Sequence, residues 1–132
     1  MMDVRVFIHP YFRQTCSDEL VANLYTRFKA YKSGAVPGAS LGRDASYNRP
    51  ESVRQAGLWH IHVKDETSMD WHLKRVQFDK KSDTALIYCE GFYNKNYFLL
   101  LSLLKNAHET CRQDRFYLVK LAELAEKFRD KY

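Results

Sequence analysis

The chain has 132 residues, 45% of them hydrophobic and 28% charged, and its 21 Lys and Arg against 16 Asp and Glu give a net charge of +5. That length predicts one domain over residues 1–132, and the composition excludes an intrinsically disordered chain. The longest apolar run, Tyr97 to Leu104, falls far short of the roughly 20 residues of a membrane span, so no membrane partner is expected.

Cys16, Cys89 and Cys111 are widely spaced and offer neither a CxxC pair nor an even disulfide framework, which fits a reducing compartment. Met1 to Pro10 lacks the basic-then-apolar layout of a secretion signal, so a cytoplasmic protein is expected. The basic balance favours polyanionic partners, nucleic acid first.

Asp3 to His9 alternates as a strand, with Val4, Val6 and Ile8 on one face, and Pro10 closes it. Ser17 caps a helix with Asp18 and Glu19 in its first turn, and Leu20, Leu24, Phe28 and Tyr31 form its apolar stripe to about Lys32. Ser33 to Ala56 is an irregular segment broken by Gly34, Pro37, Gly38, Gly42 and Pro50, with a short helical turn at Glu51 to Gln55. Within it, the adjacency of Arg43 and Asp44 favours a local ion pair that pins the loop. A polar turn from Asp65 to Asp70 leads to a strand over Leu73–Phe78, with Val76 and Phe78 inward. A charged hairpin loop at Asp79 to Asp83 then precedes a strand over Thr84–Cys89. Gly91 to Asn96 turns the chain into Tyr97–Leu104, which is apolar on both faces as in a central strand. A helix from about Asp114 carries Tyr117, Leu121, Leu124 and Phe128 along one side. This order predicts an α+β domain, an antiparallel sheet of about four to five strands with helices packed on one face.

The stretch richest in chemistry is Gly57 to Asp65, Gly-Leu-Trp-His-Ile-His-Val-Lys-Asp. Alternation turns Trp59, Ile61 and Val63 to one face and His60, His62 and Lys64 to the other. Residues two apart on a strand lie roughly 7 Å apart, so both imidazoles can reach one phosphate. Three chemistries compete for them. His-x-His supplies two metal ligands, but the nearest acids, Asp65, Glu66 and Glu90, stand at no fixed spacing to complete a site. Metal-free phosphodiester cleavage needs a base for the RNA 2′-hydroxyl, a cation for the phosphorane and an acid for the leaving oxygen. Histidine fills either proton role, and Arg43, Lys64, Lys105 and Arg112 supply charge. A non-catalytic module that binds RNA or protein through the same basic, aromatic face fits these residues equally well.

Longer-range pattern points to one family. The pieces are Gly42-Arg43-Asp44-Ala45 with Tyr47, His60-Ile61-His62, Gln77-Phe78, and Tyr88-Cys89 with Gly91. They continue with Leu104-Lys105, His108 and Arg112, then Ala125-Glu126 and Phe128-Arg129. In order and spacing the chain resembles the YafO toxins of bacterial toxin–antitoxin pairs, least so in the N-terminal strand and the Asp65 to Leu73 turn. The resemblance implies a RelE-like fold and a ribosome-dependent, metal-independent mRNA endonuclease without cofactors, which blocks translation. It also implies a cognate antitoxin protein, the ribosome and mRNA as partners, and leaves open a homodimer or a toxin–antitoxin hetero-oligomer. Arg43, His60, His62, Lys105 and His108 both match the family pattern and suit the chemistry, and they are expected to be catalytic. Lys64, Arg75, Gln77, Tyr88 and Arg112 are expected to contact RNA, and no metal ligand is assigned. The alternative expectation is a non-catalytic RNA- or ribosome-binding module using the same face.

Overall fold

Among the described residues, five strands form one sheet, and helices line both of its faces. The computed structural model describes residues 3–68, 71–74, 76–114 and 116–132, without the side chains of Arg112 and Gln113. In chain order the elements are β1 (Arg5–Ile8), α1 (Pro10–Thr15), α2 (Asp18–Lys32), β2 (Leu41–Ser46), α3 (Glu51–Gln55) and β3 (Leu58–Val63). Two 3-10 turns follow at Trp71–Leu73 and Gln77–Asp79, then β4 (Ala85–Glu90), β5 (Tyr97–Leu104), α4 (Ala107–Gln113) and α5 (Tyr117–Lys131). The strand order across the sheet is β1-β5-β4-β3-β2.

The period-two rule explains both layers. Leu86 and Tyr88 of β4, with Phe98 and Leu100 of β5, face Val21, Leu24 and Phe28 of α2. Ile87 and Cys89, with Leu99 and Leu101, face Leu118, Leu121, Ala125 and Phe128 of α5. The α+β class and the five-strand sheet are as expected. Helices cover two faces rather than one because β4 and β5 are apolar on both sides. The sheet is also mixed: β1 runs parallel to β5, while the other pairs are antiparallel.

The helix over Asp18–Lys32 forms as its caps predict. Ser17 Oγ accepts from Leu20 N at 3.2 Å, with Asp18 and Glu19 in the first turn and Lys29 and Lys32 in the last. Pro10 ends β1 but also opens α1, where its missing N–H costs nothing and His9 Nδ1 accepts from Tyr11 N at 3.0 Å. The irregular segment conceals β2, whose alternation is broken by a bulge between Leu41 and Asp44. The described residues of Leu73–Phe78 form no strand. Leu73, Val76 and Phe78 are exposed, and the two 3-10 turns replace the expected extended chain. Arg75 lies outside the described residues. Among the described residues, no helix is long and apolar enough to cross a membrane.

Candidate active site

The alternation of β3 holds. Ile61 and Val63, with Trp59 packed against them, enter the layer under α2. His60 and His62 point the other way, opposite Ile87 and Ala85 of β4. Their face is not open, however. The small side chains of Ala85 and Ala107 leave room under α4 for a cavity of about 190 Å³, which Tyr47, His60, His62, His108 and Cys111 complete.

Local structure aims each side chain. Tyr47 N donates to Leu58 O at 3.0 Å, which extends β2 by one residue and stacks the Tyr47 ring on His60 with centroids 4.2 Å apart. Asn106, in a left-handed conformation (φ 53°) that asparagine tolerates, turns the chain from β5 into α4. Asp83 then fixes the start of that helix, its carbonyl accepting from Ala107 N at 2.8 Å and its carboxylate from His108 N at 2.9 Å.

The three histidines differ. His108 is exposed, and its Nδ1 lies 2.8 Å from Asp83 Oδ1, so an Nδ1–H donates to the carboxylate and Nε2 is left for a ligand. The His108 backbone N–H and ring hold Asp83 below the usual carboxyl range. His62 is 7% exposed, and its Nδ1 sits between Ser82 O at 2.7 Å and Ser82 N at 2.8 Å. The Ser82 backbone therefore serves both tautomers. With Nδ1–H donating to the carbonyl, Nε2 is a base; with Nδ1 accepting from the N–H, Nε2 carries a proton. His60 Nδ1 is buried and has no hydrogen-bond partner.

Burial, then the His62 ring, push His60 down to about 4, with Arg43 adding to the shift and Asp44 opposing it. Burial lowers His62 as well, against the pull of the Ser82 backbone. The cavity thus holds two neutral imidazoles at neutral pH. Because the folded value of His60 lies below its unfolded one, its contribution to stability is full above about pH 6.5 and is lost as pH falls toward about 4. Thermal melts across that window are expected to show the decline, and His60→Gln to flatten it. An unchanged slope in the variant would place the titrating group elsewhere.

Arg43 lies close enough to the His60 and His62 rings to lower the proton affinity of each electrostatically. The expected Arg43–Asp44 ion pair does not form: Asp44 accepts from Tyr88 OH at 2.6 Å, Tyr31 OH at 3.0 Å and Lys32 Nζ at 3.1 Å. The Arg43 guanidinium instead stacks on Phe78, 3.7 Å from the ring centre, and its buried Nε has no hydrogen-bond partner. A Cβ at Gly42 would collide with Lys80 O, so only glycine lets β2 press against the Gln77–Asp79 turn.

The structure therefore brings His60, His62 and His108 to one cavity and sets Arg43 within electrostatic reach of His60 and His62. It does not bring Lys105 to them. Lys64 lies past the end of β3, and both lysines line a separate cleft of about 390 Å³ with Leu20, Val63 and Leu103 on the α2 side. Tyr88, expected to contact RNA, is a core residue 1% exposed, because it alternates with Leu86 on the α2 face. Gln77 is a tie within the fold, its Nε2 donating to Gly42 O at 2.8 Å and Tyr31 OH at 3.2 Å. The side chain of Arg112 and all of Arg75 lie outside the described residues. Sequence reasoning missed Asp83, the Ser82 backbone, Tyr47 and Phe78. Among the described residues, no group of three or more His, Cys, Asp or Glu is placed to hold a metal ion.

Comparisons with known proteins bear on this cavity. A family model described as "Toxin YafO, type II toxin-antitoxin system" matches residues 29–130. The chain is 28% identical over 133 residues to the "mRNA interferase toxin YafO" of Escherichia coli (strain K12), covering 98% of this chain and 100% of that protein. No solved structure matches the chain. The matched segment contains every residue that lines the cavity, from Tyr47 after β2 through β3 and β4 to α4, and on that match the chain belongs to the YafO toxins of type II toxin–antitoxin systems.

Proposed function

We propose that this toxin, like its relative named an mRNA interferase, cuts mRNA, and that it does so on the translating ribosome with the histidine cavity as its active site. The observation that carries the proposal is the convergence of His60, His62 and His108 on one cavity, with the Arg43 guanidinium close enough to act electrostatically on His60 and His62. A phosphate seated at that cavity would meet proton-transfer groups and a cation together.

The chemistry follows from the residues. Arg43 holds a phosphate oxygen and neutralises the charge that grows on the phosphorane. His62, with Nδ1–H donated to Ser82 O, takes the 2′-hydroxyl proton on Nε2. The 2′-oxygen attacks phosphorus, the bond to the 5′-oxygen breaks, and His108 at the mouth protonates that leaving oxygen while Asp83 steadies its ring. His60, stacked on Tyr47, hydrogen-bonds the phosphate as a neutral ring. The products are a 2′,3′-cyclic phosphate and a 5′-hydroxyl. So few strong groups suffice if the ribosome holds the mRNA in an attack-ready geometry, a proximity effect that can be very large. Lys64 and Lys105 take no part in bond cleavage.

Membership of a type II family implies a cognate antitoxin. The work of the toxin is done in the cytoplasm, where ribosomes translate. The test is to add purified protein to translating ribosomes and map mRNA ends by primer extension. New ends that a kinase labels without prior phosphatase treatment are expected, because the 5′ end is a hydroxyl. Stalled ribosomes without new ends would make the protein a non-catalytic ribosome-binding module, and 5′-phosphate ends would replace the 2′-hydroxyl by water as nucleophile.

A further inference from the structure

Phe78 is 54% exposed, yet the turn that carries it is held firmly. Gln77 Nε2 donates to Gly42 O at 2.8 Å and to Tyr31 OH at 3.2 Å, and Arg43 N donates to Lys80 O at 2.8 Å. The Arg43 guanidinium covers one face of the ring at 3.7 Å. Exposure of this ring is thus not looseness: the fold forgoes the burial of a large apolar side chain and fixes it at the surface.

We propose that Phe78 is a stacking platform for the nucleobase next to the scissile phosphate, with Arg43 on one face of the ring and the base on the other. The proposal rests on the assignment of Arg43 and the histidines as an RNA-cleaving site. Geometry favours a base over other occupants. The same guanidinium that backs the ring also acts electrostatically on His60 and His62, which ties the ring to the histidine cavity. A base stacked on the far face therefore leaves its own phosphate within one nucleotide's reach of Arg43. The flanking residues Lys74, Lys80 and Lys81, against Asp79, suit an RNA backbone. Stacking on an aromatic ring beside a cation is also tolerant of base identity, as single strands require.

The probe is a short 2′-O-methyl oligoribonucleotide carrying 2-aminopurine, which binds without being cut. Wild-type protein is expected to quench its fluorescence. Phe78→Tyr keeps the ring face and should retain binding, whereas Phe78→Leu keeps an apolar side chain without one and should bind roughly tenfold more weakly. Melts of each variant confirm folding. No quenching by the wild type, or equal binding by the Leu variant, overturns the platform. So does a Phe78→Leu toxin that keeps RNA binding but escapes its antitoxin, because the ring would then be a protein contact. Ring-dependent quenching with no mRNA cleavage on ribosomes would keep the platform and reject the proposed function. Cleavage without ring-dependent quenching would do the reverse.

Discussion

Arg43→Ala is expected to slow mRNA cleavage by roughly a hundred- to a thousandfold, the scale of losing one donor to transition-state charge, while the protein still folds. The stability cost should be small because no ion pair is broken: Asp44 is already satisfied by Tyr88, Tyr31 and Lys32. What is lost in the fold is one cation–π contact with an exposed ring, worth about 0.5–1 kcal/mol. Arg43→Lys should recover only part of the rate, since an ammonium restores charge but not the planar fork that stacks on Phe78 and meets a phosphate. The measurement is cleavage per folded molecule on translating ribosomes, beside a melt of each variant. Activity that falls only in step with folded fraction would return Arg43 to a structural role.

The site was partly legible in the sequence, and the boundary has physical causes. The register of β3 could be read because the pleat forces alternation and one face had to be apolar. His60 and His62 were therefore placed correctly. Arg43 could be separated from Asp44 only once Leu41–Ser46 was known to be a strand, and the bulge between Leu41 and Asp44 hides that strand. Leu73–Phe78 has the apolar spacing of a strand, but Leu73, Val76 and Phe78 face solvent, and the turn is held by polar ties from Gln77 that leave no hydrophobic period. The Asp83–His108 pair spans 25 residues and depends on the left-handed Asn106, so no local motif announces it. Lys105 stands three residues before His108, yet the same turn sends the two to different clefts. For Tyr88, pattern alone gave two equivalent faces of an apolar strand, and only the packing of α2 decides that its face is closed.

The largest effect among the histidines is expected at His62. Burial lowers the affinity of both rings for a proton, and the His62 ring adds to the shift of His60, so a base rather than an acid is ready at neutral pH. Of the two, His62 has its ring fixed, with Nδ1 bound to the Ser82 backbone and Nε2 left to react. Glutamine keeps a hydrogen-bonding amide near that position but cannot accept a proton. His62→Gln should therefore fold and slow cleavage by about a hundredfold or more, while His60→Gln, which removes only a neutral contact to phosphate, should cost less. The pH profile separates the roles. Wild-type activity should fall on the acid side, below the ordinary imidazole range, because burial lowers His62 and it serves only while unprotonated. That acid limb should vanish in His62→Gln and persist in His60→Gln. If His60→Gln loses the limb instead, the base is His60. If both variants cut at the wild-type rate with the limb intact, the two rings only bind RNA, and the proton must pass to His108 or to the ribosome.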